Sequence, residues 1–318
     1  MSETLGFIGL GAMGLGMAGN LARQLKSQEA PTSPAHKLYV YNRTASKAEP
    51  LISDQDLNVQ LAASPAELVA ACSIICLMLA DDVACDSMLQ QLQQCNLQGK
   101  VIINHSTNTP AFAMAAAAQL HGKGCEYLAA PVWGRPDAAS AARLIVVPAG
   151  PAEAVARAQP FLAAHGRLLP TQDAAHKANA MKLIGNFALF GFVETMCEAL
   201  TLSDKNNIPR EDMLAFVDAF FPAPSIQGYA RRIATESLDA GAGFTVDLAL
   251  KDVRYMRQLA EASRCPLRVA DLVFNSLLAA SANGYGLKDV GAMFLASQQA
   301  AGILPPGKHL DGADDENS

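Results

Sequence analysis

The chain carries little charge. Asp, Glu, Lys and Arg make up 17% of its 318 residues, below the roughly 25% of an average soluble domain. With 51% hydrophobic residues, that excludes wholesale disorder, which needs low hydrophobicity and high charge. Uninterrupted apolar runs are short. The run Ile74 to Ala80 has 7 residues, far from the about 20 that a spanning helix needs, so no membrane association is expected. There is no basic stripe. Lys and Arg number 24 against 30 Asp and Glu, a net charge of −6, which argues against nucleic acid as a partner. No CxxC pair occurs among the seven cysteines, and none has metal-ligand spacing with histidine. They read as small buried residues of a reducing compartment, with no metal site. A strand-like segment begins at Leu5, which leaves no room for a leader peptide. The expectation is a complete, cytoplasmic protein.

A chain of this length suggests two domains. Over residues 1–171, short apolar runs at 5–10, 37–41, 73–79, 101–103, 127–132, 144–147 and 168–169 alternate with helical patterns. Such alternation predicts a parallel, doubly wound sheet. Ser64-Pro65-Ala66-Glu67 combines an N-cap, a proline at N1 and a glutamate at N3. Residues 174–203 hold no proline and read as one helix roughly 45 Å long. Little beyond it reads as strand. The expected fold class is α/β, with an N-terminal Rossmann domain (1–173), a long interdomain helix and an all-α C-terminal domain (174–302). Residues 303–318, rich in Pro, Gly and acid, are expected to form a flexible tail.

Gly9-Leu10-Gly11-Ala12-Met13-Gly14 follows the first strand and opens a helix. In that context the pattern GxGxxG predicts a dinucleotide pyrophosphate on the helix N-terminus. The end of the second strand carries Asn42-Arg43-Thr44, where NAD enzymes usually place an acidic residue on the ribose. A guanidinium there suits a 2′-phosphate, so NADP(H) is the expected cofactor, with Arg43 and Thr44 as phosphate ligands.

Within the long helix, Asn179, Lys182 and Asn186 share one face of an otherwise apolar segment. Burying an ammonium is costly unless it is paired or loses its proton. The pattern fits a lysine tuned for proton transfer. It fits equally a lysine snorkelling to water. Lys177 lies off this face. His105 and His176 are the nearby imidazoles. His105 follows a strand end and is placed to line a cleft, though a structural role is favoured for both.

Together these segments resemble the β-hydroxyacid dehydrogenase family, which includes 3-hydroxyisobutyrate dehydrogenases, tartronate semialdehyde reductases and glyoxylate/succinic semialdehyde reductases. The matching segments are Gly6 to Gly14, Val40 to Thr44, Asn104-His105-Ser106-Thr107, Ala129 to Arg135, Lys182 with Asn186, Lys251-Asp252, and Gly284 to Asp289. They run in family order over about residues 5–300. The resemblance implies a homodimer or tetramer and hydride transfer between NADP(H) and a small carbonyl or hydroxyacid substrate. It makes Lys182 and Asn186 catalytic, with Lys182 as general acid/base and Asn186 orienting the substrate. It places the cofactor against Gly9, Gly11, Ala12, Met13, Gly14, Asn42, Arg43, Thr44, Leu79, Thr107 and Lys251. It places the substrate against Ser106, Trp133, Gly134, Arg135 and Asn186.

Two departures stand out. Trp133 and Arg135 occupy positions where the family has serine and glycine. An indole cannot bind a carboxylate as a serine hydroxyl does. The expected substrate is therefore bulkier or less acidic than a small hydroxyacid, unless Arg135 supplies the anion contact or Trp133 merely packs between loops. Two alternatives remain. An imine reductase of the same fold typically has Asp or Tyr in place of Lys182. A non-catalytic NADP-binding protein would be expected to lose that lysine.

Overall fold

The computed structural model describes residues 3–27, 37–239 and 243–303. The tail expected at 303–318 therefore lies, beyond Ile303, outside the described residues. Six parallel strands, β1 (Leu5–Ile8), β2 (Leu38–Tyr41), β3 (Val59–Leu61), β4 (Ile74–Leu77), β5 (Val101–Asn104) and β6 (Glu126–Ala129), form one sheet in the order β3-β2-β1-β4-β5-β6. Both faces are covered. Phe7, Val40, Cys76 and Ile103 pack into one core, and Ile8, Ile75, Leu77 and Ile102 into the other. Strands buried on both sides read as continuous apolar runs rather than alternating ones, which is why β4 and β5 are legible. The strand order reverses between β1 and β4, and in open α/β sheets ligands bind at such a switch point, outside the carboxyl ends of the strands.

Helices α1 (Gly14–Ser27), α2 (Glu49–Ile52), α3 (Pro65–Ala71), α4 (Asp82–Leu92) and α5 (Pro110–His121) fill the crossovers. Caps fix their starts. The Ser64 hydroxyl accepts from the Glu67 N–H, and the Glu67 carboxylate accepts from the Ala63 N–H. Asp81 caps α4 and Thr109 caps α5 in the same way.

The single strand expected over 127–132 is two. Pro131 offers no N–H to a ladder, and after it the chain leaves the parallel sheet. Strand β7 (Val132–Trp133) pairs antiparallel with β8 (Leu144–Val146), which pairs parallel with β9 (Gly166–Leu168). Helices α6 (Pro136–Ser140) and α7 (Ala152–Ala163) lie in the connections. The last strands thus form a second sheet of three rather than extending the first.

Helix α8 (Ala175–Lys205) runs unbroken for 31 residues, and the two compact units of the chain divide within it, between Gly185 and Asn186. It is long and apolar enough, by length and composition, to cross a membrane. Its buried polar side chains, among them Asn179, Lys182, Asn186 and Glu194, are those of a core helix. The second unit continues with α9 (Arg210–Phe220), α10 (Pro224–Ala234), α11 (Val246–Ala262), α12 (Arg268–Ala280) and α13 (Met293–Ala300). The segment Gly284 to Asp289 serves α11 here. The carbonyls of Gly286 and Lys288 accept the N–H groups of Asp247 and Val246 at that helix's start.

Five of the seven cysteines are buried, Cys95 is intermediate and Cys265 is exposed. Burial pushes the thiols of Cys72, Cys76 and Cys125 up to about 12, so these act as apolar core residues.

Candidate active site

The glycine loop is built by two steric necessities. Gly9 has φ +100°, and a Cβ there would run into the Met78 carbonyl and lie 3.0 Å from the Leu79 side chain. A Cβ on Gly14 would overlap the Gly9 carbonyl. The first turn of α1 therefore sits directly on the end of β1, which only glycine at both positions allows. Gly11 has nothing within 4 Å of where its Cβ would be. Its backbone is bare on that side, as approach of a pyrophosphate to the α1 N-terminus requires. These residues fit a dinucleotide.

Asn42, expected to touch the cofactor, makes two bonds of its own within the fold. Its Oδ1 accepts from the Leu10 N–H at 2.9 Å and its Nδ2 donates to the Thr44 carbonyl at 2.9 Å. It braces the glycine loop against the end of β2. Arg43 and Thr44 next to it are exposed. Ala12 is exposed, Met13 and Thr107 are half-buried, and Leu79 lines the β4 end beside Gly9.

Ser106 makes a bond of its own at the end of β4. It is buried, and its hydroxyl accepts from the Leu79 N–H at 2.8 Å. It shapes the end of β4. His105 does not line a cleft. It is fully buried, its Nδ1 donates to the Ala130 carbonyl at 2.9 Å, and its ring stacks on Phe7. The ring of His165, also fully buried, meets it edge-on with centroids 5.0 Å apart. Burial lowers His105 to about 4 and takes His165 well below its usual range, with the charge of His105 adding to the second effect.

Within the first unit, Asn179 ties α8 to the β5–α5 connection, its Nδ2 donating to the Asn108 carbonyl at 3.1 Å. One turn on, Lys182 is 7% exposed, which decides between the two readings of its pattern: it does not reach out to water. Its Nζ sits over the Trp133 ring, 5.1 Å from the centroid, an attraction between cation and ring face that holds the ammonium in place. Gly185 makes the arrangement possible. A Cβ there would come within 2.7 Å of Trp133 Cζ2 and 3.1 Å of its Nε1. Gly134, exposed at φ +138°, and half-buried Arg135 follow Trp133.

Within the second unit, Asn186 and Asp252 are buried, and the Asn186 Nδ2 donates to Asp252 Oδ2 at 2.7 Å. Lys251 Nζ lies 3.0 Å from Asp252 Oδ1 and 5.0 Å from the Tyr255 ring centroid. Asp252 thereby fixes the rotamer of the Asn186 amide. The sequence offered a hint of both partners that its reading left without a role. An Asp beside Lys251 in an amphipathic helix, and a glycine inside a long helix at a cost of about 1 kcal/mol, each call for a reason.

A glycine loop at the switch point of a doubly wound sheet, with a buried lysine on the following long helix, defines a dinucleotide-dependent oxidoreductase. Residues 4–178 match the family described as the NAD binding domain of 6-phosphogluconate dehydrogenase, and residues 177–296 match that described as the NAD-binding domain of NADP-dependent 3-hydroxyisobutyrate dehydrogenase. An uncharacterized oxidoreductase, YfjR, of Bacillus subtilis is 31% identical over 90% of this chain and 96% of its own length. The NADH-dependent oxidoreductase ucdB of Aspergillus ustus is 27% identical over 92% and 98%. The fold of 3-hydroxyisobutyrate dehydrogenase from Salmonella typhimurium superimposes with a TM-score of 0.78 at 22% identity, over 92% of this chain and 99% of that one. The chain belongs to the β-hydroxyacid dehydrogenase family and is an NAD(P)-dependent oxidoreductase acting on CH–OH groups.

Proposed function

We propose that the protein reduces the carbonyl group of a small molecule to an alcohol with NADPH, Lys182 donating the proton. The observation that carries this reading is the burial of the Lys182 ammonium against an aromatic face on the helix that follows the dinucleotide fold. Bound NADPH supplies the hydride that the carbonyl carbon accepts. Lys182 Nζ holds a proton ready for the oxygen, on which negative charge develops. That oxygen gains the proton and the nitrogen is left neutral, to be reprotonated from solvent. In the oxidative direction neutral Lys182 removes the hydroxyl proton. Asn186, its amide fixed by Asp252, orients the substrate oxygen. The glycine loop and the α1 N-terminus hold the pyrophosphate, and Thr107 holds the nicotinamide end. An initial-rate survey of NADPH oxidation with semialdehydes, glyoxylate, ketoacids and cyclic imines tests the reaction class. Turnover confined to the imines would replace this reading by imine reduction.

Arg43 carries the preference for NADPH over NADH. Its guanidinium, exposed at the end of β2 beside an uncapped Thr44 hydroxyl, suits a 2′-phosphate. No carboxylate stands at positions 42–44 to repel that phosphate. Arg43→Ala is expected to weaken NADPH about 10- to 100-fold, the value of a charge-assisted hydrogen bond, and to leave NADH within about twofold. Dissociation constants from fluorescence titration read this directly. Tighter NADH than NADPH in the parent would refute it.

The partner of the helical unit is a second copy of this chain. Phe216 and Phe220 stack one turn apart on α9 and are 51% and 68% exposed. Phe221 joins them at 5.1 Å from Phe220, and Phe192 packs on Phe221. An exposed cluster of this size marks an association surface. Sedimentation velocity is expected to show a dimer or larger, and Phe220→Glu a shift toward monomer. A monomeric parent would contradict the assignment.

A further inference from the structure

The indole of Trp133 is fixed in one place by its surroundings. It fits against the bare backbone of Gly185 on α8, with its Nε1 3.1 Å from where a Cβ of that glycine would stand. Its face lies under the Lys182 ammonium. The one hydrogen-bond donor of the side chain is thus turned toward α8. What remains of this half-buried ring is carbon surface. It stands within 5.1 Å of the nitrogen assigned to protonate the substrate oxygen, a transfer that needs the two atoms about 3 Å apart. Atoms next to the reacting carbonyl therefore fall within reach of the ring.

We infer that Trp133 determines specificity, selecting carbonyl compounds whose carbonyl carries an uncharged alkyl or aryl group over those carrying a second carboxylate. This rests on the assignment of Lys182 as proton donor. An aromatic face gains by covering apolar surface, whereas a carboxylate placed on it would be stripped of water with no donor in return. Gly185 is the second half of the device, because any side chain there would displace the indole.

The test compares kcat/KM for NADPH-dependent reduction of succinic semialdehyde with that of butanal and phenylacetaldehyde, in the parent, Trp133→Phe and Trp133→Ser. The parent is expected to favour the uncharged aldehydes by at least about tenfold. Trp133→Ser, which also removes a contact of Lys182, should lower kcat/KM for those aldehydes about 10- to 100-fold more than for succinic semialdehyde, the difference lying mostly in KM. Trp133→Phe, which keeps an aromatic face, should keep the parent's order. A second readout needs no turnover. Trp133 is the chain's single tryptophan, so with NADP+ bound its emission should respond to 2-phenylethanol and not to 4-hydroxybutyrate. A parent that prefers the semialdehyde, a preference unchanged in Trp133→Ser, or emission answering only to the hydroxyacid would each overturn the assignment. If the parent prefers the semialdehyde and loses that preference in Arg135→Ala, the arginine is the selector instead. Failure of the Lys182 assignment looks different. There Lys182→Ala keeps the parent's rate, whatever the order of substrates.

Discussion

Lys182→Ala is expected to lose about 10²- to 10⁴-fold in kcat for carbonyl reduction, the usual share of a positioned proton donor. Affinity for NADPH should stay within about threefold. The separation follows from where the groups sit. The cofactor's proposed ligands in the first unit stand at the glycine loop and the strand ends, and none of those contacts passes through Lys182. The lysine is held by Trp133 and by the rigidity of α8, which Asn179 anchors through Asn108. Removing the amine takes away the proton and leaves this scaffold. Lys182→Met, which keeps the apolar stem, should be about as inactive as the alanine variant and more stable, since it refills the volume beside the indole. Stopped-flow turnover and equilibrium NADPH titration on the same samples check both halves. Equal losses of rate and cofactor affinity would mean that the lysine serves binding rather than chemistry.

The second large effect is on stability. His105 and His165 are buried against each other and stay neutral in the fold, while the unfolded chain takes up protons on them near the ordinary value of 6.5. Their folded values are depressed. The unfolded state therefore binds more protons at moderately acid pH, and stability falls as pH falls. The contribution is complete above pH 6.5 and is lost progressively down to about 4. For His105 alone, a shift from 6.5 to about 4 corresponds to roughly 3 kcal/mol. Both ring nitrogens of His165 are buried without a hydrogen-bond partner. His165→Leu should therefore cost little near neutrality and flatten the slope of stability between pH 6.5 and 4. Urea unfolding at a series of pH values measures it. Parallel curves for parent and variant would show that the pair does not titrate against the fold.

Much of this architecture was legible because β1, β4 and β5 are buried on both faces and because glycine is forced at positions 9 and 14. The buried setting of Lys182 showed in its apolar helical context, though only the fold chose between burial and snorkelling. Other features are tertiary. Val59–Leu61 is a short, half-buried edge strand without a distinctive pattern. The switch of the chain into a second sheet after Ala130 follows from Pro131, yet the pairing of Trp133 with Ile145 is decided by partners far along the chain. Asn42 and Ser106 carry residue types that bind ligands and that also brace loops. Only their hydrogen bonds to Leu10 and Leu79 show that they brace loops here. The contact of Trp133 with Gly185 joins positions 52 residues apart, so a local reading of either residue misses it.

Chemical rescue of Lys182→Ala by small primary amines tests the proton-donor assignment most directly. With NADPH and aldehyde saturating, ethylammonium is expected to restore turnover in proportion to its concentration, by at least about tenfold, and tetramethylammonium, which has no proton to give, to restore none. A folded, NADPH-binding Lys182→Ala protein whose rate ignores every amine, or answers equally to both cations, would contradict it.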